Sequence, residues 1–315
     1  MSDLARDPPR AVRREREDTP APVGRECVPS CEGGARVPPR RHSALRMRTF
    51  ETIERLFVVC GGRRFYRARH LAPGRFLVRE ELVRVAGLAP DLAGFTIAQL
   101  SDLHAGPFLG GGDLAEVVAR VNAAAPDVVA ITGDLITRKW EEALLVLPDL
   151  ARLESRFGTF AVFGNHDYKD RREGRIAAAY AEHGIRFLRN ACQRIDVGRG
   201  TIALVGVEDL EEGEIVDVDG ARRDVRPGDV EVVLCHNPMG ARVFARAGCA
   251  VILAGHTHGG QVDLPWFRTL GPQHPGLRID LGATSLIVSR GLGVVGVPLR
   301  YRAPTDVVIV KLEPA

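Results

Sequence analysis

The stretch "FTIAQLSDLH" (residues 95–104) sets a mainly apolar run directly before Asp102 and His104. Short apolar runs bounded by polar residues are typical of strands buried inside a layered fold. The stretches "DVVAITGD" (127–134) and "TFAVFGNHD" (159–167) repeat this pattern, and in each of them glycine and polar residues follow the run. The sequence therefore predicts a buried sheet whose strands end in polar loops.

Helical stretches separate these strands, and the alternation continues towards the C-terminus. We expect one helix to begin at Asp113, with Glu116 in the capping-box position. Further elements are predicted as helices near 139–154, 171–183 and 239–247, and as strands at 201–207, 231–237, 250–258, 285–291 and 306–312. Strands that alternate with helices indicate an α/β fold in which helices cover the sheet. The charged stretch 208–229 interrupts the alternation, and we expect it to form a surface loop or hairpin.

The composition is that of an ordinary globular protein. Of the 315 residues, 45% are hydrophobic and 26% are charged. The chain contains neither an apolar run of about 18 residues, which could cross a membrane, nor the apolar core of a secretory signal. Its six cysteines are scattered, which suits a reducing compartment, so we expect a cytoplasmic protein, with peripheral contact with the inner membrane face as an open alternative.

The charge is distributed unevenly along the chain. Residues 1–95 carry a net charge of +7, whereas residues 96–315 carry a net charge of −4. Proteins that bind long nucleic acids gain much of their affinity from neutralising phosphates with basic groups. The acidic balance of the main body therefore argues against a long nucleic acid as the partner.

Three regions are predicted along the chain. They are a basic tail rich in Pro, Gly and Arg at 1–43, expected to be disordered, a basic amphipathic helical segment at 44–65, and the α/β domain at 66–315. In the helical segment, apolar residues recur at helical spacing at Met47, Phe50, Ile53, Leu56, Phe57 and Cys60. This stripe favours a helix packed on the domain. The alternative is a contact between residues 44–79 and an anionic membrane, because several arginines lie among the apolar positions.

Polar side chains end five of the predicted strands. They are Asp102, His104, Asp134, Asn165, His166, Asp167, His236, His256 and His258. One such residue after a strand is usually a turn or cap residue, but here the pattern recurs after five strands. Ligands of open α/β sheets gather at the carboxyl ends of the strands, so we expect these side chains to converge. Carboxylate, amide and imidazole donors together suit two cations such as Mn, Fe or Zn, bridged by a shared carboxylate.

The stretch "GHTHGGQ" (255–261) brings two of these histidines close together in the chain. In an extended segment, residues two apart face the same side, so we expect His256 and His258 to enter one site. Glycines permit tight turns and a close approach of the backbone to bound ions, and they recur beside the motifs at Gly133, Gly164, Gly255, Gly259 and Gly260.

Five motifs occur in order along the chain: D-x-H at 102–104, G-D-x-x-x-R at 133–138, G-N-H-D at 164–167, H-N-P at 236–238 and G-H-T-H-G-G-Q at 255–261. Together they resemble the motifs of the calcineurin-like metallophosphoesterase superfamily, over about residues 66–315. The stretch "VSRGLG" (288–293) is similar to the bacterial branch of membrane-associated phosphodiesterases, which includes relatives that act on UDP-2,3-diacylglucosamine. The resemblance implies a four-layer α/β/β/α sandwich with a dinuclear metal site.

The resemblance also implies a role for each motif residue. Asp102, His104 and His258 would bind the first metal, Asn165, His236 and His256 the second, and Asp134 would bridge the two. His166, held by Asp167, would protonate the leaving oxygen or steady the developing charge. Arg138 would support the bridging loop or meet the substrate.

These inferences predict a metal-dependent phosphoesterase that cleaves a phosphodiester or pyrophosphate bond with metal-activated water. The expected substrate is a small phosphoester, or a lipid-linked or nucleotide-sugar molecule at the membrane surface. Phe108, Trp266 and Phe267 would line an apolar pocket or simply pack in the core. The alternative function is a membrane- or partner-binding protein with a structural metal site. His166 favours the enzyme, because a structural site has no need of it.

Overall fold

Two six-stranded sheets face each other in the structure, a computed structural model that describes residues 44–264, 272 and 274–315. The first sheet contains β1 (Leu77–Val85), β2 (Thr96–Leu100), β3 (Val128–Thr132), β4 (Thr159–Val162), β5 (Ile185–Phe187) and β12 (Asp306–Pro314). The second contains β6 (Ala191–Val197), β7 (Gly200–Gly206), β8 (Val230–Leu234), β9 (Val251–Ala254), β10 (Arg278–Leu281) and β11 (Thr284–Val288). The predicted tail at 1–43, together with Trp266 and Phe267, lies outside the described residues.

The order of strands places the motif loops side by side. The first sheet has the order β1-β12-β2-β3-β4-β5, and the second has the order β10-β11-β9-β8-β7-β6. Strands β2 to β5 run parallel to one another, as do β7, β8, β9 and β11. The carboxyl ends of parallel neighbours meet at the same edge of a sheet, so the loops after β2, β3 and β4 are adjacent, and so are those after β8 and β9.

Helices cover the outer face of each sheet. The helices are α1 (Ala44–Val59), α2 (Gly62–Tyr66), α3 (Ala115–Ala123), α4 (Trp140–Leu150), α5 (Glu173–Ala181), α6 (Val218–Ala221) and α7 (Ala241–Arg246). One apolar core lies between the sheets and includes Phe160, Val232 and Val308. Two further cores lie outside them, one beneath α3, α4 and α5 and one beneath α6 and α7. The predicted four-layer α/β/β/α sandwich is therefore confirmed.

Each of the five motif strands ends two or three residues before a motif residue. Strands β2, β3, β8 and β9 each end two residues before a motif Asp or His. Strand β4 ends three residues before Asn165. These strands are buried at every position except Thr96, so the polar motif residues directly follow buried apolar runs.

One local prediction is wrong, and another holds only in part. Helix α3 begins at Ala115 without a side-chain cap, because the carboxylate of Asp113 instead accepts the N–H of Gly110 and pairs with Arg63. The stretch 208–229 forms neither a hairpin nor an entirely exposed loop. It contains the short helix α6, and Asp209 near its start is only 1% exposed.

The N-terminal helices pack on the domain through a face that the apolar pattern does not predict. Glu54 is buried and Phe57 is partly buried against the core, whereas Ile53, Leu56 and Val59 are exposed. The side chains of Met47 and Phe50 lie outside the described residues. The prediction that the apolar stripe packs on the domain is therefore wrong for the described positions other than Phe57. Instead, α1 exposes apolar side chains on its outward face.

Helical structure continues past residue 65. Helix α2 crosses the predicted boundary at 65/66, and a π-helical turn at Arg67–Leu71 follows it. Tyr66 is fully buried and donates its hydroxyl hydrogen to the carbonyl of Leu292 at 2.6 Å. This bond fastens the N-terminal helices to the domain. Among the described residues, no helix is both long and apolar enough to span a bilayer.

Candidate metal centre

The predicted ligands converge where the two sheets present their strand ends. Donor atoms lie within 4.8 Å of one another in three overlapping groups: Asp102, His104 and His258; His104, Asp134 and His166; and Asp134, His236 and His256. Asn165 joins the third group, since its Oδ1 lies 3.1 Å from Nδ1 of His256. The structure thus brings together all seven predicted metal ligands, with Asp134 between the two sets.

The first set consists of neutral imidazoles that face carboxylates. Nε2 of His258 lies 3.0 Å from Nε2 of His104 and 3.4 Å from Oδ1 of Asp102. Burial lowers the pKa of His104 to about 4, and burial together with His104 and Arg300 holds the pKa of His258 well below its usual value. Neutral imidazole is the form that binds metal ions. This set is therefore ready to share a cation.

In the second set, an imidazole also faces a carboxylate, but its surroundings differ. Nδ1 of His236 donates to the carbonyl of Thr132 at 2.7 Å, which leaves Nε2 facing Oδ2 of Asp134 at 3.3 Å. Burial disfavours a charged ring, yet the carboxylates of Asp134, Asp102 and Asp209 raise the pKa of His236 well above its usual value. The surroundings of this ring thus favour positive charge. A lone pair directed at an anionic oxygen fits a bound cation, and the mixed N/O donors suit Mn, Fe or Zn.

The backbone at the ligands is strained. Five of the predicted ligands have a positive φ: Asp102 (48°), His104 (44°), Asp134 (54°), His256 (68°) and His258 (52°). Such conformations cost about 1–3 kcal/mol each and cluster at functional sites. The expectation that 256–258 forms an extended segment is wrong. Both imidazoles reach the site because left-handed residues turn the chain there.

Two glycines are required by close approach of the loops. A Cβ on Gly164 would lie 2.3 Å from Oδ1 of Asp134, and a Cβ on Gly255 would lie 2.0 Å from Oγ of Ser101. Neither position has room for a side chain. The bare backbone at these motifs therefore lets the loops after β2, β3, β4 and β9 pack against one another.

His166 lies beside the first set, but Asp167 does not hold its ring. Nδ1 of His166 lies 2.9 Å from the carbonyl of Thr137, and its backbone N–H donates to Oδ1 of Asp134 at 2.8 Å. The carboxylate of Asp167 instead accepts four backbone N–H groups, those of Gly164, Asp134, Leu135 and Ile136. The predicted contact is therefore wrong, and Asp167 fastens the loop after β4 to the loop after β3.

Lys169 is a residue of this site that the motif analysis missed. Its Nζ lies 2.7 Å from Nδ1 and 2.8 Å from Nε2 of His166. Burial, Lys169 and His104 hold the pKa of His166 well below its usual value against the field of Asp134. The ring is thus neutral, and the positive charge beside it belongs to Lys169. In the sequence, the only feature that points to a role for Lys169 in this site is its position three residues after His166.

Arg138 contacts the N-terminal helix rather than the metal centre. Its two guanidinium Nη atoms donate to the carboxylate of Glu54 at 2.6 and 3.0 Å. This bidentate pairing raises the pKa of Arg138 and keeps it charged. Its side chain connects the loop after β3 to α1, which agrees with the supporting role, one of the two roles expected from the sequence.

Loops from the C-terminal part brace the "GHTHGGQ" segment. The side-chain amide of Gln261 accepts the N–H of Val295 and donates to its carbonyl, both at 3.0 Å. The carboxylate of Asp306 accepts the N–H of Arg290 at 2.8 Å.

Phe108 packs in the core at 2% exposure, so it does not line a pocket.

Comparisons with known proteins agree with this geometry. The family model described as calcineurin-like phosphoesterase matches residues 95–260, just over half of the chain. The uncharacterized metallophosphoesterase YkuE of Bacillus subtilis (strain 168) is 28% identical over 254 residues, which cover 78% of this chain and 88% of that protein. The Bacillus subtilis protein YpbG is 32% identical over 220 residues, which cover 69% of this chain and 80% of that protein.

A larger animal protein also matches. The Bos taurus "transmembrane protein with metallophosphoesterase domain" is 30% identical over 250 residues, which cover 74% of this chain. The match spans only 56% of the Bos taurus protein. The region that the family model matches, residues 95–260, contains every Asp and His of the clustered donor groups. The chain therefore belongs to the calcineurin-like phosphoesterase family and is a metal-dependent phosphoesterase.

Proposed function

We propose that the chain hydrolyses a phosphodiester or pyrophosphate bond with two metal ions. One observation carries this proposal: Oδ2 of Asp134 lies 3.3 Å from Nε2 of His104 and 3.3 Å from Nε2 of His236. A carboxylate placed between two sets of metal-binding donors is the arrangement that bridges a metal pair. Asp102, His104 and His258 would hold one ion and Asn165, His236 and His256 the other, with Asp134 shared.

The ions, when bound, would neutralise phosphoryl oxygens and provide an ionised water as the nucleophile. The residues around them would orient the phosphoryl group and compensate charge on the leaving oxygen. Lys169 places a positive charge beside His166, since its Nζ lies 2.8 Å from Nε2 of the imidazole. We assign His166 to the leaving oxygen. Lys169 carries the positive charge that stabilises the negative charge developing there.

His166→Ala tests this assignment. With Mn and bis-p-nitrophenyl phosphate, we expect kcat to fall by about 10²- to 10⁴-fold, because the imidazole assigned to the leaving oxygen is lost. The matched control is His183→Ala, an exposed histidine beyond α5, which should retain full activity. Unchanged turnover in the His166 variant would contradict the assignment. A wild-type chain inactive with Mn, Fe, Zn and Co would contradict the function itself and favour the structural-metal alternative.

We further propose that the substrate is lipid-linked or a nucleotide-sugar molecule met at an anionic membrane surface. The outward face of α1 supports this, because Ile53, Leu56 and Val59 follow one another at intervals of three residues and are 37%, 63% and 86% exposed. Arg48 and Arg55 are also exposed on this helix. Apolar side chains flanked by arginines suit the interface of an anionic bilayer. The Bos taurus relative, named as a transmembrane protein, is consistent with such a setting.

Leu56→Asp tests the membrane contact. In flotation with phosphatidylglycerol vesicles, we expect the variant to bind at least about tenfold more weakly than wild type. The reason is that burying a leucine side chain contributes about 1.5–3 kcal/mol. Leu144→Asp is the matched control, since Leu144 is 38% exposed on α4 and should leave flotation unchanged. Equal flotation of wild type and Leu56→Asp would contradict the contact. So would a wild type that binds neutral phosphatidylcholine vesicles as tightly as phosphatidylglycerol vesicles.

A further inference from the structure

The acidic segment that follows β7 reaches the second ligand set. Oε1 of Glu211 lies 3.2 Å from Nε2 of His256, and each of the two side chains is 9% exposed. The same Oε1 accepts the side-chain N–H of Asn237 at 3.0 Å. Glu211 lies outside the five motifs, and Asn237 is not one of the predicted metal ligands. The contact between Glu211 and His256 therefore has a separate explanation.

The direction of these hydrogen bonds can be assigned. Oδ1 of Asn237 accepts the backbone N–H of Met239 at 3.0 Å, so the NH₂ group of this amide must face Glu211. Glu211 has no hydrogen to donate, and it is therefore an acceptor for both Asn237 and His256. The imidazole of His256 then carries its hydrogen on Nε2. Its Nδ1, which lies 3.1 Å from Oδ1 of Asn165, presents a lone pair.

The segment is held firmly enough to set this geometry. Oδ1 of Asp209 accepts the backbone N–H groups of Glu211 and Glu212, both at 2.9 Å. The carbonyl of Asp209 accepts the N–H of Gly213 at 3.1 Å, and a Cβ on Gly213 would lie 2.4 Å from that oxygen. Because Asp209 is itself buried, the turn at 209–213 places Glu211 rigidly against His256.

We propose that Glu211, oriented by Asn237, is a positioning residue that fixes the tautomer and orientation of His256 and thereby sets the affinity of the second cation. The inference rests on the proposed function only for the assignment of His256 to that cation. Carboxylates that accept the second N–H of a ligating histidine orient the ring and strengthen the ligand, and their loss weakens metal binding by about 10- to 100-fold. Glu211 occupies that position here.

Metal binding by the full chain tests the proposal without reference to catalysis. We expect wild type to bind two Zn ions in calorimetric titrations, and Glu211→Ala to bind the second about 10- to 100-fold more weakly with the first unchanged. Glu211→Gln keeps an acceptor oxygen for Nε2 and should recover most of the affinity. Glu212→Ala is the matched control, because Glu212 is the exposed neighbour with the same charge.

The tautomer supplies a second measurement. In proton–nitrogen spectra of the Zn-loaded wild type, His256 should carry its hydrogen on Nε2, and Glu211→Ala should weaken or abolish that signal. Unchanged affinity for the second Zn in Glu211→Ala would overturn the proposal, as would equal weakening of both sites or a wild type that binds one Zn only. A wild type that binds two Zn ions but hydrolyses no phosphodiester would overturn the proposed function and leave the role of Glu211 intact.

Discussion

Asp134→Asn is expected to lower kcat/KM for bis-p-nitrophenyl phosphate by about 10³-fold, equivalent to about 4 kcal/mol of transition-state stabilisation. The substitution keeps the shape of the side chain, and its oxygen can still accept the N–H of His166. It removes the negative charge that lies between His104 and His236. A neutral amide cannot bridge two cations, so the loss should appear with Mn, Fe and Zn alike.

The same variant should respond differently to metal removal. In place of Oδ2, the amide nitrogen can donate to the lone pairs of His104 and His236, which satisfies the pocket without cations. We therefore expect the melting temperature of Asp134→Asn to be insensitive to EDTA, whereas that of wild type should fall when metal is removed. Asp224→Asn, at an exposed position, is the matched control and should behave as wild type. Full activity of Asp134→Asn would contradict the bridging role.

The location of the site could be predicted from the sequence because it depends on local patterns. Each motif strand is a short apolar run, and the strand must end where the polar residues begin, as it does two residues before Asp102, Asp134, His236 and His256. Parallel strands bring such ends to one edge. Convergence of the ligands therefore follows from strand periodicity and from the rules for sheets, before any coordinate is considered.

Contacts between segments distant in the chain could not be predicted in this way. The partners of Arg138 and Glu211, which are Glu54 and His256, lie 84 and 45 residues away in sequence, and no periodic pattern links them. Asp113 shows the same limit, because Arg63 recruits a carboxylate that would otherwise cap α3. In each case a charged group that is buried or partly buried needs a partner, and the packing of distant segments supplies it.

The conformation of the ligand loops could not be predicted either. An extended backbone is the default after a strand, yet His256 and His258 are left-handed, with φ of 68° and 52°. Hydrogen bonds from elsewhere hold this strained segment. Asp102 accepts the N–H of His256 at 3.0 Å, and Arg300 approaches the carbonyl of His258. The strain is thus maintained by groups outside the segment, which explains why its own sequence does not reveal it.

His256→Ala and His258→Ala are expected to lose different cations, although only one residue separates them. His256 faces Asn165, whereas His258 faces Asp102 and His104 on the other side of Asp134. Elemental analysis after dialysis should therefore find two Mn ions in wild type and one in each variant. Activity should fall by at least about 10²-fold in both, because hydrolysis needs the pair.

Second substitutions identify which ion remains. In His256→Ala, the remaining Mn should survive the addition of Asn165→Ala, which removes a ligand of the site already lost, but should be lost on addition of Asp102→Ala. In His258→Ala the two results should be reversed, because the remaining ion then depends on Asn165. Each pair thus separates residues that share a cation from residues that do not, since the effects of residues in one site are not additive. The same response of both variants to Asn165→Ala would show that His256 and His258 serve one common ion. Loss of both ions in either single variant would show that the two sites do not bind independently, which would also contradict the prediction.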